Sequence, residues 1–196
     1  MPLLRGTGGD TVEAADIALL LVRLVLGGTL IAHGVNHWVG GGRIEGTGRW
    51  FGGLGLRHGK LQAWLSVVTE IGAGVLLIAG LLTPLACAAV VSVMLVAGLL
   101  AHRPNGFFVF RDGYEYVLVL ALVAIALAML GPGDLSLDRV VGFEISGWAG
   151  GGAAAGVGAA GTALLLALFW RPDSGELAPQ DSSAESADRE LEREGL

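Results

Sequence analysis

The sequence is poor in charge and contains a single cysteine. Only 15% of its 196 residues are charged, whereas 53% are hydrophobic, and a soluble domain usually has about a quarter charged residues. The lone thiol, Cys87, excludes an intramolecular disulfide and a cysteine-based metal cluster. In its apolar surroundings we expect it to be a small buried hydrophobic residue. These shortages favour an integral membrane protein.

Motifs for nucleotide, flavin or iron–sulfur binding are also missing, since the chain has no Cys-x-x-Cys and no glycine-rich phosphate loop after a strand. The net charge is −6, and residues 171–196 contribute most of it with eight acids and three arginines. No basic stripe is left in the remainder, so nucleic acid is not an expected partner.

Five apolar segments dominate what the chain does contain. Each approaches the roughly 20 residues needed to cross a 30 Å hydrocarbon layer, and a helix satisfies the backbone there. The chain before the first segment lacks a basic region, and no cleavage site follows that segment, so we expect a retained helix instead of a signal peptide. The segments run approximately Asp16–Trp38, Trp64–Leu82, Pro84–His102, Tyr114–Leu130 and Gly147–Trp170.

The predicted fold is all-α: a transmembrane four-helix bundle over residues 16–140, with an additional fifth transmembrane helix over residues 147–170. Gly147/Gly151 and Gly152/Gly156 in the fifth segment have the small-xxx-small spacing of close helix contacts, although its weak hydrophobicity also fits marginal insertion. Residues 1–15 form a short N-terminal segment. Residues 171–196, rich in Asp, Glu and Ser, are predicted to be a disordered acidic tail.

The distribution of lysine and arginine predicts the orientation. Seven basic residues lie on the side of the connection between the first two segments, against Arg5 and Arg139 on the other side. Because cytoplasmic loops carry an excess of such residues, the tail is expected in the cytoplasm and the N-terminus outside. The seven are Arg43, Arg49, Arg57, Lys60, Arg103, Arg111 and Arg171.

Polar and ionisable side chains collect at one depth of the predicted bundle, and such groups inside a membrane usually have a function. His33 lies five residues before Trp38 and Glu70 six residues after Trp64, so each is about 7–9 Å inside the same membrane face. We expect Glu70, His33 and Glu115 to face one another in a lipid-shielded cavity. The further candidates for this ligand-binding cluster are Arg23, Asn36, His37, His102 and Tyr114.

Several of these residues allow more than one interpretation. His33 and His37 share a helical face, a spacing that can bind metal or haem, but a hydrogen-bonded pair is preferred and neither metal nor haem is expected. Arg23 could pair with Glu70, or its side chain could extend toward the outer surface. A protonated Glu70 could donate a hydrogen bond to a quinone-like carbonyl or relay protons. The alternative is a structural ion pair of Glu70 with Arg23 or a histidine.

A series of short motifs appears in order along the first four segments. They are Arg23-Leu-Val-Leu-Gly27 running to His33-Gly34, Glu70-Ile-Gly-Ala-Gly74, Gly80-Leu-Leu-Thr83-Pro84, Asn105-Gly-Phe-Phe108, Gly113-Tyr-Glu115-Tyr116, Gly131-Pro-Gly133 and Ser136-Leu-Asp138. Their order and spacing resemble DoxX-family membrane proteins over approximately Ala18–Val140. The chain departs from that family in its fifth helix, its acidic tail, and His37, where the family often has lysine.

The resemblance implies a four-helix membrane bundle associated with redox chemistry. Relatives include a subunit of an archaeal thiosulfate:quinone oxidoreductase, proteins linked to quinone detoxification, and proteins thought to bridge a superoxide dismutase and a sulfurtransferase. We therefore expect a multi-pass cell-membrane component of a quinone- or thiol-linked oxidoreductase system in oxidative-stress defence. It would bind the lipid bilayer, a quinone or soluble redox partners, could form homo-oligomers, and shows no catalytic motif or other cofactor site of its own.

Two alternatives from other functional classes stay open. One is a transporter of a small solute or protons, which the buried ionisable groups favour and the lack of an inverted repeat disfavours. The other is a membrane scaffold whose acidic tail recruits soluble redox enzymes.

Overall fold

The computed structural model describes residues 13–143 and 145–171, and these form a bundle of helices. They are α1 (Ala14–Val39), α2 (Arg43–Gly53), α3 (Gly59–Ala79), α4 (Thr83–Ala97), α5 (Glu115–Leu130), α6 (Leu137–Val141) and α7 (Gly147–Phe169). A π-helical turn, Gly98–His102, continues α4, and 3-10 turns at Arg103–Asn105 and Val109–Arg111 lead to α5. The described residues include no strand, only an isolated bridge between Leu56 and Trp170. The all-α prediction is confirmed, while most of the predicted acidic tail lies outside the described residues.

Four stretches are long and apolar enough to cross a membrane: Ala14–Val39, Gly59–Ala79, Thr83–Asn105 and Gly147–Phe169. They match four of the five predicted segments. The remaining segment forms α5, a shorter apolar helix of 16 residues, which is about 24 Å long at 1.5 Å per residue. It packs against both α4 and α7.

Glycines allow α1 and α3 to pack closely. A Cβ added at Gly27 would lie 2.6 Å from the carbonyl oxygen of Gly74, and one added at Gly74 would lie 2.6 Å from the carbonyl oxygen of Gly27. Farther along α1, Gly34 lies against Glu70 and Ile71 of α3. Small residues let helix backbones approach in this way in lipid, where no hydrophobic effect draws helices together. This contact sets Glu70 level with the second half of α1.

The hydrophobic core lies between α1, α3, α4, α5 and α7. Its fully buried side chains include Leu26, Leu30, Leu77, Val90 and Leu127. Cys87 belongs to the same cluster and is 0% exposed, as predicted.

The contacts of α7 involve other small residues than those predicted. The buried positions on α7 that recur every four residues are Gly150, Ala154, Gly158 and Thr162. Of the glycines predicted to make contacts, Gly151 packs against Met129, but a Cβ added at Gly147, Gly152 or Gly156 would meet no atom within 4 Å. Neither glycine pair thus forms a contact with both of its members, because a segment this rich in glycine and alanine offers small-xxx-small spacing in several registers.

Helix α2 lies inside the connection that the sequence analysis treated as a loop. Its sequence, RIEGTGRWFGG, contains four glycines, and glycine disfavours helix interiors, which explains why it was missed. Ile44 packs with Ala63 and Val67 of α3 in a small separate core. The Oγ1 of Thr47 donates a hydrogen bond to the carbonyl of His37 at 3.0 Å. These contacts hold α2 against the ends of α1 and α3.

The end of α7 meets the connection between α2 and α3. The backbone N–H of Arg57 donates to the carbonyl of Phe169 at 2.8 Å, and that of Arg171 donates to Gly55 at 2.8 Å. We call this end of the bundle the α2 side and the opposite end, which carries α6 (Leu137–Val141), the α6 side. The two termini of the described chain thus lie at opposite ends of the bundle.

Candidate functional site

Glu70 is buried in the bundle toward the α2 side. Its side chain is 2% exposed. The hydroxyl of Ser66, one helical turn earlier, donates to Oε1 of Glu70, and Nε2 of His37 lies 3.7 Å from the same oxygen. An ionisable side chain inside the apolar layer needs such polar partners, and α1 and α3 each supply one.

Helix α2 fixes the position of His37. The imidazole stacks on Trp50, with ring centroids 6.0 Å apart and an interplanar angle of 21°, and it contacts Phe51 at 5.7 Å. Trp50 and Phe51 also stack on each other at 5.1 Å. The histidine is therefore held between an aromatic pair and the buried carboxyl group of Glu70.

A cavity of about 150 Å³ adjoins these groups, bounded by side chains from α1, α2, α3, α4 and α7 and by the π turn; we call it the Glu70 cavity. Apolar residues such as Val93, Val96, Leu100 and Leu165 form much of its wall. The polar side chains in the wall are His37, Gln62, Ser66, Thr69, Glu70 and Ser92. Apolar walls with a few well-placed polar groups are characteristic of small-molecule sites.

The structure does not bring Glu70, His33 and Glu115 together, so that prediction was wrong. His33 is exposed, and its ring faces Tyr116 at 6.4 Å. Glu115 accepts a hydrogen bond at 3.0 Å from the backbone N–H of Val109 and stabilises the turn before α5. His37, one helical turn beyond His33, lies beside Glu70 instead. Trp50 and Phe51 of α2 pack against the His37 ring and hold it there.

The other predicted residues on the α2 side lie outside the Glu70 cavity. Nδ1 of His102 is 2.8 Å from the carbonyl oxygen of Asp112 and 3.5 Å from its carboxylate. The Tyr114 ring packs edge-on against Phe107 at 5.5 Å. Asn36 is exposed near the end of α1. His102 and Tyr114 thus organise the connection between α4 and α5.

Arg23 lies at the α6 side and is 0% exposed. Its Nη2 donates to the carbonyl of Leu135, and Asp138 is the nearby acid that attracts it. Glu70 is level with Gly34, which is eleven residues, or about 16 Å, from Arg23 along α1. Arg23 therefore does not pair with Glu70, and it does not extend to the outer surface either, because its side chain ends inside the protein at the carbonyl of Leu135.

Asp138 is the buried charge that the sequence analysis did not select. It is 0% exposed, and its two carboxylate oxygens accept hydrogen bonds from the backbone N–H groups of Leu82 at 2.7 Å and Thr83 at 2.9 Å. An acid there satisfies free N–H groups at a helix start and complements the helix dipole. The sequence did point to Asp138, because Gly80–Pro84 and Ser136–Asp138 are both among the motifs that carry the family resemblance.

The outward surface near α2 is charged. Nζ of Lys60 lies 3.2 Å from Oε1 of Glu45, and a backbone hydrogen bond together with this ammonium group lowers the pKa of the Glu45 carboxyl. Within residues 13–143 and 145–171, no three His, Cys, Asp or Glu side chains come together as a metal site would require.

Residues 18–103 match the family model DoxX, which confirms the resemblance over α1, α2, α3, α4 and the π turn. The matched region contains Arg23, His37 and Glu70, whereas α5, α6 and α7 lie beyond it. Comparison with curated proteins and with solved structures gives no match.

Proposed function

From the DoxX match over residues 18–103, we propose that this multi-pass membrane protein binds a quinone in the Glu70 cavity as part of a membrane redox system. The observation that supports the proposal most directly is the pair formed by the buried Glu70 and the half-buried His37, 3.7 Å apart, beside an apolar cavity and two aromatic rings. The proposed setting is a quinone-, thiosulfate- or thiol-linked oxidoreductase system in oxidative-stress defence.

The chemistry of the cavity wall suits a quinone ring. Such a ring is flat and mostly apolar, with two carbonyl oxygens that accept hydrogen bonds. Val96 and Leu165 offer apolar contact, while Trp50 and Phe51 offer faces on which a ring can stack. The cavity lies beside spanning helices, so a lipid-soluble quinone can reach it from the bilayer.

Glu70 and His37 supply the polar groups that a quinone needs. An imidazole N–H or a protonated carboxyl group can donate a hydrogen bond to a quinone carbonyl. Reduction of a quinone to a quinol consumes two electrons and two protons. With a quinone bound in the cavity, Glu70 and His37 would be the side chains that supply those protons. The two electrons would come from a thiol or thiosulfate that an oxidoreductase of the same membrane system oxidises.

We also place a soluble partner on the α2 side, where the seven basic residues named above are located. A soluble sulfurtransferase or superoxide dismutase is the proposed class of partner, as the family resemblance implies. By the positive-inside rule the same side faces the cytoplasm, which leaves the N-terminus outside.

His37→Gln and Glu70→Gln are each expected to weaken quinone binding about three- to tenfold. Glutamine keeps an N–H donor but loses the ionisable group. A hydrogen bond to a charged group contributes roughly 1.5–3 kcal/mol and a neutral one about 1 kcal/mol, and each 1.4 kcal/mol is tenfold in affinity. The measurement is titration of the purified protein in nanodiscs with decylubiquinone, followed by tryptophan fluorescence, since Trp50 lines the cavity.

His33→Gln is the matched control. His33 lies one turn from His37 on the same helix, and its ring faces Tyr116 instead of the cavity, so the affinity of this variant should stay within about twofold of the unchanged protein. Equal losses in the two histidine variants, or no loss in His37→Gln and Glu70→Gln, would overturn the proposal.

A further inference from the structure

A second groove lies between the end of α4 and the start of α5, separate from the Glu70 cavity. Its volume is about 270 Å³. Leu95, Leu99 and Leu118 are among its apolar walls, and Arg103 and Tyr114 complete it. Leu99 is 42% and Leu118 41% exposed, so the groove opens toward the surroundings of the bundle, which for a spanning segment is the acyl-chain layer.

The π turn shapes this groove. The backbone N–H of Arg103 bonds to the carbonyl of Gly98 five residues earlier, which widens the helix locally. Gly98 has no side chain, and a Cβ at this position would lie 3.3 Å from Cγ2 of Val117 on α5. The missing side chain and the wider turn leave an elongated apolar space between the two helices.

A positive charge lies at the end of the groove. Arg103 directly follows the π turn and is exposed, and none of the ion pairs among the described residues involves it. Phe107, Phe108 and Phe110 follow in the same connection and are 44%, 52% and 77% exposed. Exposed phenylalanines beside basic residues suit the boundary between the headgroups and the acyl chains, which sets the depth of Arg103.

We propose that this groove binds an anionic phospholipid. One acyl chain lies along the apolar walls, the phosphate pairs with the guanidinium of Arg103, and the hydroxyl of Tyr114 donates a hydrogen bond to a phosphate oxygen. A guanidinium group offers several N–H donors in a geometry that matches phosphate oxygens. An anionic lipid is favoured over phosphatidylcholine, because the choline cation of the latter offsets the attraction of its phosphate.

Native mass spectrometry of the protein released from nanodiscs of equal phosphatidylglycerol and phosphatidylcholine content tests the proposal. The unchanged protein should retain phosphatidylglycerol preferentially, and Arg103→Gln should lower that preference about tenfold or more, because it removes a charge-assisted contact to the phosphate worth roughly 1.5–3 kcal/mol. Arg111→Gln is the matched control. Its guanidinium lies 6.0 Å from the Phe110 ring centroid and does not line the groove. Exposed charges without a fixed partner contribute little, so the preference should change less than about twofold.

A second pair of variants tests the apolar part of the groove while keeping its charge. Leu118→Trp fills the groove from its exposed side and should reduce the number of retained lipids, whereas Leu122→Trp, one turn later on α5 and 56% exposed, should not. Equal retention of the two lipids, or equal effects of Arg103→Gln and Arg111→Gln, would overturn the proposal. A dimer that Leu118→Trp dissociates, without a preference for phosphatidylglycerol, would also overturn it and assign the groove to a second copy of the chain.

Discussion

Asp138→Asn is expected to lower the free energy of unfolding by about 1–3 kcal/mol, the usual cost of leaving a buried hydrogen-bonding group unsatisfied. The substitution leaves the buried guanidinium of Arg23 without its nearby acid. It also places an amide nitrogen where one carboxylate oxygen accepts from Leu82 or Thr83 at the start of α4. The measurement is equilibrium unfolding in mixed micelles with increasing dodecyl sulfate, followed by circular dichroism.

Asp134→Asn is the control for this effect. Asp134 lies in the same connection, but its side chain is 70% exposed and its carboxylate pairs at the surface with Arg139 at 3.4 Å. Such surface pairs contribute about 0–1 kcal/mol, so this variant should unfold almost as the unchanged protein does. Similar losses in both variants would show that Asp138 does not stabilise the start of α4 in the way proposed.

Gly27→Ala is expected to destabilise the bundle by about 1–3 kcal/mol, as overpacking of a close contact usually does. The added methyl group would lie 2.6 Å from the carbonyl oxygen of Gly74 and 2.9 Å from Cγ1 of Ile78, so α1 and α3 must separate. The same unfolding assay measures this loss.

Gly28→Ala, one residue later, provides the comparison for Gly27→Ala. A Cβ at Gly28 would meet no atom within 4 Å, and alanine is the better helix former by roughly 0.5–1 kcal/mol. This variant should be as stable as the unchanged protein or slightly more so. If Gly28→Ala lost as much stability as Gly27→Ala, the glycine contact between α1 and α3 would not be the cause.

The spanning helices were predictable because length and hydrophobicity suffice to define them. Helix α2 was not, since its glycines weaken the helical pattern and its stability comes from packing of Ile44 on α3. The register of α7 was also beyond prediction, because only the partner helix decides that Gly158 makes contact and Gly156 does not. Contacts between segments distant in sequence thus determine that α2 is a helix and which face of α7 is buried.

The sequence predicted how deep the site residues lie in the membrane, but only part of the set of residues that form the site. Counting residues from the helix ends placed Glu70 and both histidines near one membrane face, yet it gave no information on rotation about the helix axis. His37 faces Glu70 and His33 does not, a difference that depends on where α2 packs. The interaction of Arg23 with Asp138 joins residues 115 positions apart in sequence, which no local pattern reveals.

Photoaffinity labelling with an azidoquinone in native-like membranes tests the central claim most directly. Mass spectrometry of the labelled protein should find the modification on α2 or α3, within residues 50–70. Excess unlabelled quinone should suppress that labelling, and Glu70→Gln should reduce it. Labelling on the face formed by His33 and Tyr116, or labelling that neither excess quinone nor Glu70→Gln reduces, would contradict a quinone site in the Glu70 cavity.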